Sequence, residues 1–85
     1  MRALFVGGTI DNSEVDMDGE APVHYPANTG GGRPRYRLFE VGRRAGALAY
    51  AVYAAPEMEE QAVRQVVAER DYARRFAADE VLNPA

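Results

Sequence analysis

The chain has 85 residues, 47% of them hydrophobic and 27% charged, a formal net charge of −3 and no cysteine. This composition excludes an intrinsically disordered chain, and the length allows one domain near the lower limit for a core held without cross-links. Without cysteine, disulfide frameworks, thiolate metal sites and cysteine nucleophiles are excluded as well.

Residues 1–6 read as a first strand, Met-Arg-Ala-Leu-Phe-Val, ended by Gly7 and Gly8. The apolar run is too short for a signal peptide or a membrane span, so a cytoplasmic protein with no membrane contact is expected. Residues 7–34 lose regular patterning and become a polar loop rich in Gly, Pro and acidic residues. Within it a short extended piece is expected around Val23, His24 and Tyr25, confined to an edge or a loop by Pro22 and Pro26.

Residues 35–54 carry the strongest strand signal, two runs (36–41 and 47–53) joined by the five residues 42–46 as a β-hairpin. With period two, Leu48, Tyr50 and Val52 share the face that should pack on a helix, leaving Ala47, Ala49, Ala51 and Tyr53 on the other. In the first run Arg37, Phe39 and Val41 lie together, an apolar face with an arginine beside it that points to an interface. Residues 56–78 read as one amphipathic helix, with Glu57, Glu59 and Glu60 at its start and Arg74 and Arg75 at its end, matching the helix dipole. Residues 79–85 read as a fraying tail. The expected fold class is α+β: a small antiparallel sheet, formed by the N-terminal strand and the hairpin, packed against one C-terminal helix.

All ten basic residues are arginines, and charge is unevenly spread. Residues 11–20 hold Asp11, Glu14, Asp16, Asp18 and Glu20 without a base, whereas residues 33–44 hold Arg33, Arg35, Arg37, Arg43 and Arg44 against Glu40 alone. The two segments either neutralise each other within the fold or serve a partner.

Several short motifs stop before they carry chemistry. Phe5-Val6-Gly7-Gly8-Thr9-Ile10 resembles the N-terminal strand and turn of the bacterial asparaginase family, which places a nucleophile at Thr9 but also requires a lysine that this chain lacks. Gly32-Arg33-Pro34-Arg35 resembles part of an AT-hook, with Gly31 where the leading arginine belongs. Asp16-Met17-Asp18-Gly19-Glu20 has the middle of a calcium loop, but Pro26 stands where the bidentate glutamate is needed. Ser13 and His24 lie in the same irregular segment, which lacks the rigid elements that a catalytic pair requires. No catalytic residue, metal site or cofactor is therefore assigned.

The hairpin at 36–53 and the run Tyr72-Ala73-Arg74-Arg75-Phe76 give the chain a general resemblance to small proteins encoded in bacteriophage and prophage genomes of GC-rich bacteria. That resemblance implies a non-catalytic protein that binds and modulates a host protein, such as a defence component. The expected partner-binding residues are Arg33, Arg35, Tyr36, Arg37, Phe39, Asp16, Asp18 and Tyr25, with a homodimer through an exposed strand edge as one form. Two alternatives are a nucleic-acid binder using the Arg33 to Arg37 segment and an oligomer that sequesters a small anionic ligand.

Overall fold

A computed structural model describes residues 1–26 and 35–84. Strands β1 (Arg2–Val6), β2 (Glu14–Asp16), β3 (His24–Tyr25), β4 (Tyr36–Arg44) and β5 (Ala47–Ala54) come first. Helices α1 (Glu60–Arg70) and α2 (Tyr72–Arg75) and strand β6 (Glu80–Leu82) follow, an α+β arrangement. The strand order is β2-β1-β5-β4-β3, with β6 also paired to β4. The sheet is mixed, because β1 lies parallel to β5 while the other pairings are antiparallel. Helix α1 follows β5 and packs on one face of the sheet, where its Val63 is fully buried.

The hairpin departs from simple alternation in two places, and this decides which side chains reach the core. Leu38 pairs with Tyr53 but Glu40 pairs with Val52, so Phe39 is an extra residue on β4. Gly42 pairs with Tyr50 but Arg43 pairs with Leu48, so Ala49 is the compensating extra residue on β5. Phe39 faces the helix-side core with Leu4, Val6, Tyr50, Val52, Ala54, Val63 and Tyr72; the first bulge keeps Glu40 on that side and sends Val41 to the opposite face with Ala3, Phe5, Ala51 and Tyr53. The expected shared face of Arg37, Phe39 and Val41 therefore does not exist. The second bulge likewise separates Leu48 from Tyr50 and Val52. The hairpin connection is also tighter than expected, two residues rather than five, with both Ala45 (φ 52°) and Gly46 (φ 81°) in the left-handed region.

The second sheet face is covered by the chain itself. Ile10, Met17, Ala21, Tyr25 and Tyr36 pack against it, and the rings of Tyr25, Tyr36 and Tyr53 surround Phe5 at centroid distances of 4.9, 5.4 and 5.7 Å. Tyr53 donates a hydrogen bond to the Pro22 carbonyl at 2.8 Å, and burial pushes its phenol up to about 12. The irregular segment before β4 is thus the missing layer of a two-faced sheet: the face of Ala51 and Tyr53 is an intramolecular contact, and Ala49 packs on the helix side. The extended piece expected near Tyr25 is β3; β2 had no signal beyond one apolar residue between two acids.

The single expected helix is broken at Asp71, which adopts φ 52° and ψ 50° while its N–H donates to the Val67 carbonyl at 2.9 Å. The break redirects Tyr72 and Phe76 onto Tyr50, with ring centroids 6.1 and 5.4 Å away. After α2 the chain reverses through Ala77 (φ 53°) and forms β6, where a fraying tail was expected. Asp79 N–H donates to the Arg43 carbonyl at 2.8 Å and Asn83 Nδ2 donates to the Phe39 carbonyl at 3.0 Å, so unpaired groups on β4 supply what holds the tail.

Candidate functional site

The acidic segment and the basic strand do not pair with each other in the ion pairs that surround β2. Arg2 contacts Glu14 at 3.0 Å and Asp16 at 2.6 Å, and Arg75 contacts Glu14 at 2.7 Å. Arg70 Nη2 donates to both Asp11 oxygens at 2.9 and 3.0 Å, while its Nη1 donates to the Phe5 carbonyl and the Tyr72 hydroxyl at 3.2 Å each. The Gly7 N–H beside it, then Arg70, hold the Asp11 carboxyl below its usual range, and Arg75 followed by Arg2 do the same for Glu14. Arg70 and Arg75 from the helical region, with Arg2 from β1, thus hold Asp11, Glu14 and Asp16 of the acidic segment.

Of the eight residues expected to bind a partner, Arg33 lies outside the described residues. Asp16 is tied to Arg2 and exposed at one edge, and Asp18 is exposed in the segment that follows β2. Phe39, 5% exposed, is a core residue. Tyr36 is a structural pin: its hydroxyl donates to the Gly7 carbonyl and accepts from the Ile10 N–H at 3.3 Å. Gly8, at φ 70°, brings its backbone against that hydroxyl, and a side chain there would displace it. Tyr25 is half-buried over Phe5 and Tyr53. Arg35, half-buried, leads into β4. Arg37 donates to the Met58 carbonyl at 3.3 Å and lines a shallow depression of about 210 Å³ with Val23, His24, Leu38 and Pro84. The structure thus brings Tyr25, Tyr36 and Arg37 together at the β3–β4 pairing and leaves the acids at the other end of the strand order. Ser13, just before β2, and His24, on β3, also stand at opposite ends of that order.

Comparison with family models, curated proteins and solved structures returns no match for this chain. The surface itself must therefore carry the functional reading.

Among the described residues four large apolar side chains are exposed: Val15 (38%), Val23 (67%), Val81 (44%) and Leu82 (41%). Val15 sits on the β2 edge between Glu14 and Asp16, both engaged by arginines, a short and charged edge of the sort that resists strand addition. The other three lie on the opposite edge. There β6 and β3 both run antiparallel to β4 on its outer side, β6 against residues 41–43 and β3 against residues 36–37, with the Val23 carbonyl accepting from Leu38 N–H at 2.8 Å. Val23 and Pro84 meet in the depression beside Leu38, so the two short strands form one discontinuous outer strand. Sequence reasoning missed β6 because three residues give no periodicity to read; the only signal was Val81-Leu82 in an otherwise polar end.

One buried acid does not belong to this surface. Glu40, 9% exposed, accepts a hydrogen bond from the Tyr50 hydroxyl at 2.9 Å. Burial pushes the Glu40 carboxyl up and outweighs that hydrogen bond, which lowers it; burial and the nearby carboxylate push the Tyr50 phenol up. A carboxyl raised in the folded state stabilises fully below its unfolded value, and that contribution is lost as pH rises through the folded value. Asp11 and Glu14, whose values are lowered, act in the opposite sense: their contribution is present above their unfolded values and is lost as pH falls through the folded ones. Glu40→Gln keeps an acceptor for Tyr50 and removes the buried charge. It is expected to stabilise the protein at neutral pH by about 1 kcal/mol and to make no difference in acid, as read by thermal unfolding across pH.

Proposed function

We propose that the chain is a non-catalytic protein-binding module that receives an extended segment of its partner along the outer edge made by β6 and β3. The observation that carries this reading is the contrast between the two sheet edges: one short and charged, the other bearing Val23, Val81 and Leu82 in the open. Strand addition draws affinity from main-chain hydrogen bonds and specificity from alternate side chains, and an edge with exposed apolar groups supplies both. Arg37, which lines the depression with Val23, is the residue of the expected set on this surface and can select a polar or acidic group on the partner. The phage resemblance makes a host protein the partner class to test first.

Nucleic-acid binding draws less support. Arg2, Arg64, Arg70 and Arg75 are engaged by acidic side chains, so these four have little to offer phosphates.

The test is capture from a lysate of the source organism with three tagged baits: wild type, Val81→Glu with Leu82→Glu, and Val15→Glu. Retention of one protein by wild type and Val15→Glu, with and without nuclease, and its loss with the double variant support the reading. Retention that ignores the edge substitutions, or that vanishes with nuclease, overturns it.

A further inference from the structure

The same edge also specifies its own complement. Because β6 and β3 run in the same direction along β4, the outer strand reads Glu80, Val81, Leu82, Asn83, Pro84, Val23, His24, Tyr25. Among the described residues neither β6 nor β3 has a strand on its outer side. Side-chain direction along it is fixed by the partners on β4. Leu82 pairs with Val41, and Val23 lies beside Leu38, both of which pack on the face away from the helices. Val81 pairs with Gly42, whose open side faces the Tyr50 ring, and His24 pairs with Arg37, whose guanidinium reaches Met58, so these two look to the helix side.

We infer that the occupant of this edge is a second copy of the chain, added antiparallel about a two-fold axis perpendicular to the sheet near Asn83 and Pro84. This rests on the strand-addition reading above and names its partner. In that register Leu82 stands opposite the partner's Val23 and Val81 opposite the partner's His24. Residues directly opposite in an antiparallel pair must share a face, and both pairs do. Other two-fold registers fit less well. Centring β6 on β6 at Val81 sets Glu80 against Leu82 twice and leaves Val23 in water, whereas centring β3 on β3 at His24 leaves Val81 and Leu82 uncovered. The crossed register covers all three exposed aliphatic residues on this edge. The matching of short segments gives an interface smaller than the ~1,200 Å² of stable complexes, so the dimer is weak and exchanges in the micromolar range.

The experiment uses the purified full chain. Sedimentation equilibrium from micromolar to millimolar chain is expected to give a reversible monomer–dimer equilibrium, weakened about tenfold or more by Leu82→Glu or Val23→Glu and unchanged by Val15→Glu. Because the chain has no cysteine, Val23→Cys and Leu82→Cys supply an independent readout that keeps the edge apolar. Mixed and oxidised, the two variants should form a disulfide-linked pair faster than either does alone. A monomer at every concentration overturns the inference, as does cross-linking of Leu82→Cys to itself as fast as in the mixture. A monomeric chain that still captures a foreign protein through Val81 and Leu82 overturns the second copy as occupant and leaves the strand-addition reading standing; capture that ignores the edge removes that reading whatever the chain's own association.

Discussion

Phe39→Ala is expected to cost about 3–5 kcal/mol, a large part of the stability of a domain this small. The ring is 5% exposed and lies among Leu4, Val6, Val52 and Val63, between sheet and helix. Removing it leaves a cavity that the surrounding strands cannot close, because β4 and β5 are pinned to each other through the bulge that Phe39 itself creates. Urea unfolding followed by far-ultraviolet circular dichroism reads the loss as a shift of the midpoint. Arg37→Glu is the matched contrast: Arg37 gives up one 3.3 Å hydrogen bond to the Met58 carbonyl at the rim of the edge, so stability should change by less than about 1 kcal/mol. If the two substitutions cost the same, Phe39 is not in the core and the bulge is misplaced.

Gly42→Ala is the second large effect, expected at about 2–3 kcal/mol. The need for glycine here is space. A Cβ at this position would collide with the nearest ring carbons of Tyr50, which is fully buried and held on its other sides by Tyr72, Phe76 and the hydrogen bond to Glu40. The ring cannot yield without breaking the Glu40 contact, and a buried carboxyl without its donor adds its own cost. The clash is with the ring carbons, so Tyr50→Phe should not relieve it. In a Tyr50→Ala background, Gly42→Ala should cost little further, and the double-mutant cycle should return a coupling energy of most of the single-variant loss. Additive losses in the two backgrounds would mean that the ring does not lie over Gly42.

These two positions also mark where sequence reading of the fold stops. The strand at β1, the hairpin, the presence of a helix after it and the extended piece at Tyr25 were legible, since each rests on local chemistry: alternation and glycine and proline punctuation. The helix itself begins at Glu60, four residues later than expected, with Glu57 left in the turn before it. The bulge at Phe39 was not. One inserted residue reverses every later side chain, and nothing in Tyr-Arg-Leu-Phe-Glu-Val announces it, because both faces of this strand are apolar and either register buries something. The candidate surface was misassigned because the face of Phe39 is the one the helix covers, and the bulge carries Val41 off it, while Arg37 lines the depression at the sheet edge.

The sequence by itself determined an α+β domain with no cysteine chemistry, its sheet built around one hairpin and its apolar residues sufficient for a thin core. Only the tertiary structure decided that β1 joins β5 in parallel, that the acidic segment is held by Arg2, Arg70 and Arg75, that residues 10–25 roof the second sheet face, and that the end of the chain becomes β6. The physical reason is common to all four. Each is a contact between segments far apart in the chain, whose free energy comes from covering an apolar face or satisfying a charge that another segment presents, and local sequence carries no record of that other segment.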